Sequence, residues 1–124
     1  MSFENLPPSG KPVSIDELKD ICANYKLFNE LQILTNDPPK TLFICNGCTK
    51  WPDEVDGISI YPACFFHDLR YYLGYKGDSV SRLRADIELM QDVLNLTHNV
   101  IMAELMFTGV RRLGGAYYGR ERTH

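Results

Sequence analysis

The sequence predicts one mainly α domain over residues 1–124, organised around two long antiparallel helices. Three observations carry that prediction. Apolar residues recur at helical spacing along most of the chain, and β-branched alternation is almost absent. The breaks at Gly74 and Gly77-Asp78 place a tight turn between two long periodic stretches, so the second must fold back on the first.

Taken in order, residues 1–13 contain Pro7, Pro8, Gly10 and Pro12 and are expected as an extended arm. Ser14-Ile15-Asp16-Glu17 has the form of a capping box, with Ser14 as N-cap and Glu17 reaching back. Ile15, Leu18, Ile21, Cys22 and Tyr25 then mark a helix of about three turns, followed by a short one from Phe28 to Leu34. Asn36-Asp37-Pro38-Pro39 stops it. From Thr41 the chain enters a turn-rich loop that runs to Tyr61 and holds Gly47, Pro52 and Gly57 with Asp53, Glu54 and Asp56. Pro62 suits the first turn of a helix, where its missing N–H goes unneeded; this helix runs to Leu73 and ends at Gly74. Another starts near Ser79 or Ser81 and reaches about Leu96, and a last one covers Asn99 to Leu113, ending at Gly114-Gly115. The tail, residues 120–124, is charged and expected to be loose.

The net charge of -3 is mild, with no basic block for nucleic acid and no polybasic segment for docking on anionic lipid. Contact with a membrane must therefore use apolar and aromatic side chains. The longest apolar runs, Val100 to Ala103 and Leu105 to Phe107, are split by Glu104 and fall far short of a membrane span. Met1 to Lys11 has neither a basic start nor an apolar h-region, so the expectation is a mature chain or an export route without a signal peptide. Four cysteines, Cys22, Cys45, Cys48 and Cys64, permit disulfides or a metal site, and their number does not choose.

The chemistry concentrates in the Pro62–Leu73 helix. Cys64, His67, Asp68 and Tyr71 fall at i, i+3, i+4 and i+7 and share one face among apolar neighbours. Polar groups there need partners, and a structural core histidine would satisfy that need as well as a catalytic one. Asp86 tips the balance. It lies inside the stripe of Leu83, Ile87, Met90 and Leu94, widened by Leu89 and Val93, whereas Glu88, Gln91 and Asp92 fall on the wet face. A carboxylate in an apolar stripe must be paired, and the Gly74–Ser79 turn can carry it to the His67 ring. A histidine held by a carboxylate is the usual build of a general base. The loop Cys45-Asn46-Gly47-Cys48-Thr49 is the other signal, because Gly47 allows close backbone approach to a ligand. With Asp68 it would form an oxygen-rich site suited to Ca²⁺.

Asn46-Gly47-Cys48-Thr49, Pro52-Asp53, Gly57 and Pro62-Ala63-Cys64-x-x-His67-Asp68-x-x-Tyr71 resemble the bacterial and fungal secreted phospholipase A2 family at matching spacing, and Arg84-Ala85-Asp86 is similar to its second catalytic helix. The resemblance covers roughly residues 45–94. It implies a phospholipase A2-like fold and a calcium-dependent hydrolase that cuts the sn-2 ester of glycerophospholipids. It implies His67 as base, Asp86 as its partner, and Tyr71 supporting that aspartate. Asn46, the Gly47 carbonyl and Asp68 become the calcium ligands, and Cys48–Cys64 the loop-to-helix disulfide. The family pattern has Asp where this chain has Asn46, so calcium is expected to bind weakly. The family's downstream second disulfide is absent, and Cys22 and Cys45 are additional. The implied partner is a phospholipid surface, met by a monomer that is secreted or otherwise delivered outside the producing cell, with a virion or a secreted effector among its settings.

Two other readings stand beside this one. Cys45-x2-Cys48-x15-Cys64-x2-His67 is a respectable Cys3His zinc spacing, which would make the chain a metal-stabilised binding module. It would consume His67 and leave Asp86, Asp68 and Tyr71 without a role. A phospholipase-like fold can also serve as a non-catalytic structural or virion protein. Among smaller signals, Trp51 is placed either to anchor at a bilayer interface or to pack under the loop. Arg111-Arg112 reads as a solvated helix end, and the Asn95-Leu96-Thr97 sequon as a chance match.

Overall fold

A computed structural model describes residues 6–48 and 50–121. The ends of the expected arm and tail, 1–5 and 122–124, and Thr49 of the loop motif lie outside the described residues. The architecture is mainly helical: α1 (Ile15–Asn24), α2 (Phe28–Asn36), α3 (Tyr61–Leu73), α4 (Ser79–Thr97) and α5 (Val100–Leu113), closed by a 3-10 turn at Gly114–Tyr117. Side-chain caps set three of the starts. Ser14 Oγ accepts from the Glu17 amide, Asp78 caps α4 through the Ser81 amide, and Asn99 caps α5 through the Met102 amide.

Two short antiparallel pairs depart from the expected arm and loop. β1 (Pro12–Val13) pairs with β2 (Phe43–Ile44), which staples the arm to the chain ahead of the loop. β3 (Glu54–Val55) pairs with β4 (Ile58–Ser59) across Asp56-Gly57, whose φ angles of 54° and 79° are those of a tight hairpin turn. The tail departs too. Arg120 donates to the Asp37 carbonyl, stacks 4.2 Å from the Tyr75 ring centre and ion-pairs with the Asp37 carboxylate, while Glu121 pairs with Lys76. These two residues are tied down because the chain passes beside Tyr75 in a bridge.

α3 is the central wall. Its residues Pro62 to His67, Leu69, Tyr71 and Leu73 are buried, because core lies on both of its sides. One apolar cluster joins Leu18, Ile21, Leu34 and Phe43 to Phe65, Phe66 and Leu69. The other joins Val55, Ile60 and Ala63 to Leu89, Val93, Ala103 and Met106 of α4 and α5. Burial of this kind contributes roughly 1.5–3 kcal/mol per large side chain. The buried line of α4 runs Asp86, Leu89, Val93, Thr97, while Leu83 is exposed, so the stripe sits further round the helix than its apolar residues suggest. Glu88 and Asp92 are only half-exposed, because Arg70 of α3 draws both in.

Candidate active site

Antiparallel packing of α3 and α4 brings together the two residues singled out in their sequences. His67 Nε2 and Asp86 Oδ1 are 2.8 Å apart. Asp86 is fully buried and His67 nearly so. Tyr71, one turn after His67, donates to the same Asp86 oxygen at 2.6 Å, and its ring lies 4.3 Å from the imidazole centre. With Nε2 engaged, Nδ1 is the ring nitrogen left for chemistry, and His67 lines an open groove of about 880 Å³.

Two arginines complete the carboxylate's surroundings, and sequence reasoning missed both. Arg111 Nη1 donates to Asp86 Oδ2 at 2.7 Å, which corrects the reading of Arg111 as a solvated helix end. Arg82 Nε lies 3.9 Å from the same oxygen and donates to the Tyr71 hydroxyl at 3.3 Å. Its Nη2 reaches the carbonyls of Val110 and Arg111. Arg82 had a signal in the sequence, since it stands four residues before Asp86 on one helix. Burial pushes the Asp86 carboxyl up, but the bonds from His67, Tyr71 and Arg111 prevail and hold it below the usual carboxylate range.

Asp68 meets the opposite balance. Burial pushes its carboxyl up, and the Cys45 thiol, His67 and the Asn46 amide only partly offset this. Its Oδ2 accepts from the Asn46 N–H at 3.3 Å, so the loop turns an amide, where carbonyls were expected, toward this carboxylate. The loop turns through Gly47 at φ 70°. Its base is held by bonds from the Gly10 amide and the Ser9 hydroxyl to the Cys45 carbonyl. A disulfide joins Cys48 to Cys64, with Cα atoms 5.4 Å apart, and anchors the loop to the first turn of α3.

That disulfide takes two of the four ligands a Cys3His zinc site needs, so the zinc reading does not hold. Cys22 and Cys45 are free, buried thiols, each pushed up to about 12 chiefly by burial. Among the described residues no three His, Cys, Asp or Glu side chains gather to hold an ion. An ion at the loop would rest on Asp68 together with amide and main-chain oxygens. A carboxylate and a side-chain amide oxygen are donor types that a hard cation takes, while the loop atom bonded to Asp68 is the Asn46 N–H.

Trp51 is half-buried, lines the groove and packs against Gly109 of α5, where a side chain would collide with its ring. The Thr97 hydroxyl of the sequon is buried and donates to the Val93 carbonyl within α4. No helix among the described residues is long and apolar enough to cross a membrane. No family model matches the chain, and neither a curated protein nor a solved structure matches it.

Proposed function

We propose that the chain is a calcium-dependent phospholipase A2 of the secreted bacterial and fungal type, hydrolysing the sn-2 ester of glycerophospholipids to a lysophospholipid and a fatty acid. The observation that carries this reading is the His67–Asp86 bond in the wall of an apolar groove, one turn from a disulfide-anchored loop that Asp68 faces. The groove holds about 880 Å³ and is lined by Leu89, Met106, Val110 and Leu113, side chains that suit an acyl chain. On its rim Leu42, Ile44, Leu113 and Tyr117 are 65, 45, 55 and 75% exposed, which suits contact with a phospholipid surface through apolar side chains.

In the mechanism, His67 Nδ1 takes a proton from a water that attacks the ester carbonyl. Asp86 fixes the ring through Nε2 and stabilises the imidazolium, with Tyr71 steadying the carboxylate. His67 then returns the proton to the departing lysophospholipid oxygen, and no acyl-enzyme forms. Calcium held by Asn46, the Gly47 carbonyl and Asp68 would supply Lewis-acid polarisation of the carbonyl, beside a loop amide that donates to the oxyanion. In keeping with the secreted family it resembles, the work is assigned to a membrane outside the producing cell, whether the protein is secreted, virion-borne or delivered.

The test is direct. Phosphatidylcholine vesicles incubated with the protein and calcium should release fatty acid from the sn-2 position alone, and chelator should stop the release. Release from both positions, or none, would remove the assignment.

A further inference from the structure

Within the phospholipase reading, we propose that Arg111 is a positioning residue that locks the Asp86 carboxylate so that His67 keeps its catalytic orientation. Asp86 Oδ1 already accepts two bonds, from His67 Nε2 at 2.8 Å and the Tyr71 hydroxyl at 2.6 Å. A partial turn of the carboxylate about its Cβ–Cγ bond would carry Oδ1 away from both donors. What opposes that turn is the Arg111 guanidinium on Oδ2, at 2.7 Å. This is a charge-assisted bond, of the stronger kind.

The arrangement is reciprocal between two helices. Arg82 of α4 donates to the Val110 and Arg111 carbonyls in the last turn of α5, the first of which also accepts from the Gly114 amide. Arg111 of α5 returns to the carboxylate of α4. Arg82 therefore holds the backbone from which Arg111 reaches. Arg111 is not among the groove-lining residues, although Val110 and Leu113 of the same turn are. It acts on the reaction through Asp86 alone. Removing it leaves Oδ2, in a fully buried residue, with only Arg82 Nε at 3.9 Å. A buried acceptor without a partner is costly, so the carboxylate would swing towards Arg82 and release the ring.

The Arg111 side chain is 31% exposed, so its loss opens no large void in the core. Arg111→Met keeps the apolar stem and removes the donors. Two readouts apply. In nitrogen-15 spectra of the histidines, the His67 Nε2–H should exchange with water about tenfold faster or more in R111M than in the parent, with Arg111→Lys between them. Against phosphatidylcholine vesicles with calcium, R111M should lose about 10- to 100-fold in kcat with KM within about twofold, and added guanidinium ion should restore part of the loss. Arg112→Met, an exposed change on the same turn, should do neither.

An unchanged Nε2–H together with an unchanged kcat overturns the proposal. So does a kcat loss that only tracks a fall in melting temperature while the Nε2–H stays protected. An inactive parent whose Nε2–H is nonetheless freed in R111M removes the phospholipase reading and leaves the positioning role standing.

Discussion

Asp86 and Arg70 are each the minority charge of an ion cluster on the same pair of helices, and the two clusters are built in opposite senses. Asp86 is one carboxylate facing Arg111 and Arg82, bonded also by His67 and Tyr71. Arg70, one turn after His67, is one guanidinium facing Glu30, Glu88 and Asp92. Around Asp86 the donors outweigh burial and hold the carboxyl low. Around Arg70 burial prevails, and Glu88 and Asp92 are pushed up. Charge pairing between α3 and α4 is therefore no mark of chemistry in itself. The first cluster differs by ending on a ring nitrogen beside a groove, whereas the second ties α2, α3 and α4 together and lines none of it.

The largest expected effect separates the clusters by activity. His67→Ala should lower phosphatidylcholine hydrolysis by about two to four orders of magnitude while the protein stays folded. Arg70→Met should leave the rate per folded molecule alone, as a vesicle assay corrected for folded fraction would show. Parental hydrolysis by a folded His67→Ala protein would end the comparison. Next in size is Asp86→Leu, which strands Arg111, Arg82 and the Tyr71 hydroxyl. Breaking a buried ionic cluster should cost about 3–5 kcal/mol in urea unfolding. Reduction of Cys48–Cys64 follows. The bond closes a loop of sequence separation 16. Its loss should cost about 3 kcal/mol and lower activity with it, since the loop is then freed from α3.

The Arg70 cluster should read out more gently and with a pH signature. Its carboxylates are 14, 30 and 31% exposed, so Arg70→Met should cost only about 2 kcal/mol. Glu88, Asp92 and Asp68 have carboxyls raised by burial, so their contribution is full below the ordinary value near pH 4 and declines as pH rises through the raised ones. Asp86 has the opposite sign: its contribution is present above about pH 4 and is lost as pH falls through its lowered value. Melting temperature without calcium should thus decline on both sides of a mildly acidic maximum. Glu88→Gln with Asp92→Asn should flatten the upper side and spare the lower. The smallest effect belongs to the loop. Calcium should bind in the upper micromolar to millimolar range, and Asn46→Asp should tighten it about tenfold by calorimetry.

How much of this was legible follows from the range of the signals. The meeting of His67 with Asp86 was legible because a carboxylate inside an apolar stripe demands a partner, and the Gly74–Ser79 turn leaves α3 as the nearest one. Tyr71 came with the helical period of α3. Arg111 was not legible: an Arg-Arg pair at a helix end looks solvated, and only the crossing of α5 over α4 decides otherwise. β1 and β2 were too short for alternation to register. The Asp56-Gly57 hairpin, by contrast, left a clear signal that was read merely as loop. The tail looked loose because the partners of Arg120, Asp37 and Tyr75, lie far away in sequence.

Gly114 carries no chemistry, yet a methyl group there would come within 2.5 Å of the Tyr71 hydroxyl, the group that bonds Asp86. Its backbone, at φ -77° and ψ -17°, is open to any residue, so only the missing side chain matters. In a saturation screen, Gly114 should therefore look as intolerant as a reacting residue, and even alanine should fail. The difference would emerge in the suppressors. Tyr71→Phe would remove the colliding hydroxyl and restore the fold of Gly114→Ala, though not the bond to Asp86, whereas no change elsewhere could replace the imidazole of His67.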